Sequence, residues 1–288
     1  MNGPCFGSLL AGAVLWLWPV VAIGQPIFGH AESIEATVAN ADLVFVGTLL
    51  DFDLLEGPEG FEARFLVEET LKVPIGECYE KLSVVLREPQ AVLGAWKGEE
   101  RRLLVAVRDE SRVPASIIDL EDERLSLLTA DFTLLRDRDD VLQAARETVS
   151  RMPSNVKRIH TFRREVPREV IARTRWEEYD GVTVSVPVDD RLEQWAREAI
   201  CSEELPRRLE AVRALRYFRS DETIALLKPL LDDPGWAILH HAQENEGREV
   251  RRYLVRAEAY RALKAWGVDV RRPKIEETIE VHSINPVR

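Results

Sequence analysis

Cysteine is scarce in this chain: Cys5, Cys78 and Cys201 are the only three in 288 residues. That is too few for a disulfide framework, and they form no paired-cysteine scheme that would hold zinc. The 15 glycines are scattered, so the Gly-rich turn that cradles phosphate is absent and nucleotide enzymes are set aside. No Gly-x-Ser-x-Gly elbow and no His-Glu-x-x-His pair occurs, and no cysteine sits in a context that would activate it. Positive charge is in deficit, with 39 Lys and Arg against 50 Asp and Glu and a net charge of −11. That balance argues against a general nucleic-acid binder or an anionic-membrane binder. Two carboxylates brought together by folding leave no spacing signal, so no catalytic residue is named.

The first 24 residues carry no charged side chain, and from Leu9 to Ile23 the chain is almost continuously apolar. The run is short for a bilayer span, which needs about 20 residues. Ala22-Ile23-Gly24 supplies a small-x-small pattern, so residues 1–24 are expected to be an export signal cleaved after Gly24. Gly29-His30-Ala31 offers a second cleavage site, and an uncleaved anchor is the alternative. Cys5 precedes the apolar run, which excludes a lipoprotein. A cleaved chain keeps Cys78 and Cys201, in different segments, either bridged or as two thiols.

From Ala41 the chain turns β-rich. Strands are expected at Leu43 to Leu50, Phe61 to Glu68, Lys81 to Arg87, Arg101 to Arg108, Ile117-Ile118 and Leu125 to Leu135. The first two form a hairpin over the turn residues Glu56 to Gly60, and a helix from Arg136 to Met152 follows, ended by Pro153. Short strands closed by a helix predict a small β-barrel over residues 32–152. Ala41-Asp42-Leu43-Val44-Phe45-Val46-Gly47, Phe65 to Lys72 and Leu103 to Val107 resemble the netrin-type, metalloprotease-inhibitor-like barrel, an OB-fold relative of exported proteins. The resemblance covers roughly residues 32 to 115 and implies the fold. The family's inhibitors use an N-terminal Cys wedge that this chain lacks after its signal, so protease inhibition is not carried over.

Residues 153–187 read as a connector, too apolar to be a floppy linker, with a short helix at Arg168 to Arg173 and a strand at Val182 to Val186. Its basic side chains, Lys157, Arg158, Arg163, Arg164, Arg168, Arg173 and Arg175, with Arg151 close by, are either an anion-binding strip or internal partners for Glu165, Glu169, Glu177 and Glu178.

Residues 188–288 carry a phrase stated twice. Arg208-Leu209-Glu210-Ala211-Val212-Arg213-Ala214-Leu215 returns 48 residues later as Arg256-Ala257-Glu258-Ala259-Tyr260-Arg261-Ala262-Leu263. Ala211, Leu215 and Phe218, like Ala259, Leu263 and Trp266, fall at i, i+4 and i+7 and give each copy one buried stripe. The phrase resembles the short HEAT-like units of bacterial proteins, over about residues 189 to 270. Two units are fewer than an autonomous solenoid wants, so the β-domain and the tail Ile275 to Val281 are expected to cap them.

The fold expected is therefore α+β: a small N-terminal OB- or netrin-like β-barrel closed by a helix, a packed connector and a C-terminal HEAT-like helical repeat domain. The function expected is that of an exported, periplasmic or extracellular, non-enzymatic protein that binds a protein or a cell-envelope polymer, without nucleic acid, and meets the membrane only if its N-terminal segment is uncleaved. No cofactor or metal is expected. The binding candidates are Arg213, Arg216 and Arg261 on the repeat face, with Trp236, His240 and His241 in the insertion from Gly235 to Gly247. One alternative is a periplasmic metal- or carboxylate-dependent hydrolase using His240, His241 and Asp232 or Asp233. Another is a membrane-anchored structural component.

Overall fold

Leu43-Val44-Phe45-Val46 is apolar at every position, so a strand built from it must be covered on both faces. The computed structural model, which describes residues 28–55, 60–73, 79–108, 114–174, 176–179, 181–240 and 248–280, covers it in that way. In chain order the first elements are β1 (Phe28–Glu32), α1 (Ile34–Asn40), β2 (Leu43–Leu54), β3 (Phe61–Lys72), β4 (Lys81–Leu86), α2 (Gln90–Gly98), β5 (Arg102–Val107) and β6 (Pro114–Asp119). Next come β7 (Leu127–Leu128), β8 (Leu134–Leu135), α3 (Arg138–Arg151), β9 (Thr161–Glu165), α4 (Arg168–Ile171) and β10 (Gly181–Pro187). The C-terminal part holds α5 (Asp190–Ala199), α6 (Leu205–Leu215), α7 (Asp221–Leu227), a 3-10 turn (Pro229–Asp232), β11 (Ala237–His240), β12 (Arg248–Arg252), α8 (Leu254–Ala265) and β13 (Glu276–Glu280).

The N-terminal strands form an open antiparallel sheet in the order β4-β3-β2-β5-β6. Val44, Val46, Leu104 and Ala106 face Ile34 and Val38 of α1 and Val141, Leu142 and Ala145 of α3. Leu43, Phe45, Leu103 and Val105 face the other way and pack with Phe65 of β3, Leu82 and Val84 of β4 and Leu93 of α2. The expected barrel does not form. Among the described residues no ladder joins the edge strands β4 and β6; one face is buried against α1 and α3, and on the other the residues of β2, β3, β4 and β5 pack on one another with Leu93 of α2. Lys72 ends β3 as a buried ammonium donating to the carbonyls of Val38, Ala39 and Ala41, the orphan acceptors at the end of α1.

The connector is a sheet, in the order β1-β10-β9, with β1 parallel to β10 and β9 antiparallel to it. It is stitched to the N-terminal part by Ser33 N–H to Ser185 O and by Ile159 N–H to Ala39 O. Its inward residues Phe162, Val182, Val184 and Val186 share a core with α5, α6, α7 and α8.

The two copies of the repeated phrase become α6 and α8, which pack on one another with Ala211, Leu215, Ala259 and Leu263 buried and with Phe218 and Trp266 partly buried beside them. Caps set the helix starts: Asp189 accepts from the amides of Arg191 and Leu192 at α5, and Ser220 from Thr223 at α7. The C-terminal part differs from the helical repeat domain expected, because β11, β12 and β13 form a three-stranded antiparallel sheet between and after the helices. Cys201 is free and exposed, and residues 1–27 and Cys78 lie outside the described residues.

Candidate functional site

The repeat-face arginines are engaged within the protein. Arg213 and Arg261 both reach Glu258, at 3.8 and 2.7 Å, and Arg216 lies over the ring of Tyr217. Trp236 is 38% exposed and carries the guanidinium of Arg251 at 3.9 Å from its ring centre. His240 is the last residue of β11, opposite Val250, and His241 lies outside the described residues. Asp233 is buried and held in a two-point pair, Arg208 Nε to Oδ2 at 2.9 Å and Nη2 to Oδ1 at 3.2 Å, while Asp232 is exposed. Among the described residues no cluster of three or more His, Cys, Asp or Glu side chains could hold a metal ion.

A site does assemble elsewhere, where three parts of the chain meet. The β7–β8 hairpin, the end of β9 and the starts of α5 and α6 enclose a cleft of about 710 Å³. Its floor is Arg164. In Thr161-Phe162-Arg163-Arg164-Glu165 the strand period of two puts Arg164 on the same inward face as Phe162, and it is only 8% exposed. The guanidinium carbon lies 3.9 Å from the ring centre of Trp195 in α5 and 4.5 Å from that of Phe132 in the hairpin, a cation–π contact with each. Phe132 has a φ of 66°, a left-handed conformation that a bulky residue rarely adopts.

One residue fixes the hairpin. Ala130 donates its N–H to Glu35 of α1 at 2.9 Å and accepts at its carbonyl from Arg164 Nη1 at 2.9 Å. Glu35 is itself buried, with Arg191 3.5 Å away, and burial raises its carboxyl above the ordinary range.

Glu210 of α6 faces Arg164 without bonding to it. Its Oε1 stands 3.8 Å from Arg164 Nε and accepts instead from the N–H of Glu165 at 3.1 Å. Burial pushes the Glu210 carboxyl up to about 7, and the same burial pushes Arg164 down to about 10. Both shifts point the same way: desolvation outweighs the attraction between the partners. Asp131 responds differently. Burial would raise it, but hydrogen bonds from Thr129 and Thr133 and the charge of Arg191 hold it below the ordinary range.

The basic strip of the connector is thus divided. Arg164 is buried in the cleft and Arg158 pairs with Asp42 at 3.3 Å, while Arg163 and Arg168 are exposed. Sequence patterns miss Glu210, although Glu258 repeats it in the second copy, and they do not single out the β7–β8 hairpin. Comparison of the chain with protein-family models, with curated proteins and with solved structures found no match.

Proposed function

We propose that this chain is an exported, non-enzymatic binding protein that holds a repeat unit of a cell-envelope polymer in the junction cleft. The observation that carries this reading is the cleft itself: about 710 Å³, a size that suits a small ligand unit, with aromatic walls and charged groups converging from three parts of the chain. The repeat face offers less, since Arg213 and Arg261 are paired to Glu258. The net charge of −11 disfavours nucleic acid as the partner. Export, to the periplasm or outside the cell, is supported by the uncharged N-terminus and its apolar run. The hydrolase alternative loses Asp233, which is bound to Arg208.

The test is retention of envelope material on the immobilised mature protein, with the envelope separated into a protein pool and a polymer pool. Polymer is expected to be retained by wild type and by Arg261→Glu and lost by Arg207→Glu, a change at an exposed position lining the cleft. Loss with Arg261→Glu and retention with Arg207→Glu would move the function to the repeat face and overturn the cleft. Retention of protein alone would replace the polymer as ligand.

A further inference from the structure

Arg164 is buried, yet its Nε has no hydrogen-bond partner among the described residues. Buried donors are nearly always partnered, and an exception calls for an explanation such as a water, an ion or a ligand. The rings of Trp195 and Phe132 beside this guanidinium accept no conventional hydrogen bond from it, so its unused N–H groups are what an acceptor can engage. Three further arginines, Arg168, Arg191 and Arg207, line the same cleft. Arg191 stands 3.5 Å from Glu35, and Arg207 has no ion-pair partner among the described residues. Both are near enough to lower the guanidinium of Arg164 by repulsion, after the larger effect of burial.

The inner carboxylates each accept a hydrogen bond from within the protein at one oxygen. Asp131 accepts from Thr129 and Thr133, Asp189 from the amides of Arg191 and Leu192, and Glu210 from the amide of Glu165. Glu165, Glu169 and Glu204 line the cleft as exposed residues, where water and salt screen them.

We propose that the cleft binds an oxyanion, a carboxylate or phosphate group of its ligand, between Arg164 and the exposed arginines Arg191 and Arg207, in competition with the carboxylate of Glu210. This rests on the reading of the chain as a binding protein. Glu210 is the internal occupant: ionised, it is the acid nearest Arg164 Nε, and protonated, it leaves that charge to an outside oxyanion. Arginine suits the task because its planar fork meets carboxylate and phosphate oxygens two at a time.

The experiment is titration calorimetry of the full mature protein with glucuronate, glycerol phosphate and glucose as probes. At pH 6 one or both anions are expected to bind and glucose to give no heat, and the tighter anion identifies the group as carboxylate or phosphate. Arg207→Gln is expected to weaken the anion about tenfold, a loss of the size of one charged contact. At pH 8 Glu210→Gln is expected to tighten it several-fold, since it removes the competing charge and keeps an acceptor for the Glu165 amide. Equal binding of glucose and glucuronate, an unchanged affinity in Arg207→Gln, or no binding of either anion at millimolar concentration would overturn the proposal. Polymer retention that depends on Arg207 alongside equal binding of glucose and glucuronate would overturn the oxyanion and leave the polymer-binding reading standing. Anion binding without polymer retention would do the reverse.

Discussion

Asp233 ties the two copies of the repeated phrase together. Its carboxylate takes the first arginine of one copy, Arg208, and its carbonyl takes the matching arginine of the other, Arg256, at 2.6 Å. Removing the charge leaves Arg208, whose side chain is 13% exposed, without its counter-ion. Asp233→Asn is therefore expected to cost about 3 kcal/mol in chemical denaturation. Glu258→Gln, whose partners Arg213 and Arg261 are largely in water, is expected to cost under about 1 kcal/mol.

Glu210 gives a pH signature with a definite sign. Its folded value of about 7 lies above the ordinary 4.5, so its contribution to stability is fully present below about pH 4.5 and is lost as pH rises through about 7. Lys72 acts in the opposite sense and higher, because burial lowers it to about 8. The charges lining the cleft, Arg164, Glu165, Arg168 and Glu169 from the connector, Asp131 from the hairpin, and Asp189, Arg191, Glu204 and Arg207 from the helix starts, are common to wild type and to Glu210→Gln. The difference between the two proteins thus isolates Glu210. Between pH 5 and 8 wild type is expected to lose on the order of 1–3 kcal/mol relative to the variant, read from denaturation midpoints. A parallel pair of curves would contradict the assignment.

At the scale of elements, the long hairpin β2–β3 is bent by register shifts, one of them between Val46 and Gly47. A Cβ on Gly47 would stand 2.4 Å from the carbonyl oxygen of Leu66, which belongs to the backbone and cannot swing aside. Gly47→Ala is expected to cost about 2 kcal/mol or more, measured as a lowered denaturation midpoint with no change in the junction cleft.

How much could be read in advance follows from the same elements. The strands around Val44, Phe65 and Val105 and the helices carrying Ala211 and Ala259 are written in local apolar patterns and were legible. Closure of the sheet was not, because an unbroken apolar run such as Leu43 to Val46 says that both faces are covered and does not say by what. The cover on one side, α1, is buried almost all round and so has no amphipathic stripe to betray it. In the connector the alternation of Phe162 and Arg164 was a strand signal obscured by its charge. The cleft was the least legible feature, since Glu35, Phe132, Arg164, Trp195 and Glu210 converge only through tertiary packing.

For the whole molecule, β1 joins the segment before α1 to the connector strand β10. Phe28 to Glu32 run parallel to Gly181 to Ser185, and His30 Nε2 lies 2.9 Å from Ser185 Oγ. Cleavage after Ala31 would remove nearly all of this strand and expose one side of β10, whereas cleavage after Gly24 keeps it. Edman sequencing of the exported protein is expected to begin at Gln25, and a start at Glu32 would contradict a structural role for β1 in the mature chain.

The central claim is that ligand sits where the hairpin, the connector and the helices meet. Hydrogen-exchange mass spectrometry of the mature protein, with and without the polymer pool of its own envelope, tests it most directly. Ligand in the cleft is expected to slow exchange in peptides covering residues 129–133, 164–170 and the start of α6, with α8 and β11–β12 unchanged. Slowing confined to α8 or to β11–β12 would place the ligand on the repeat face or the insertion and contradict the account.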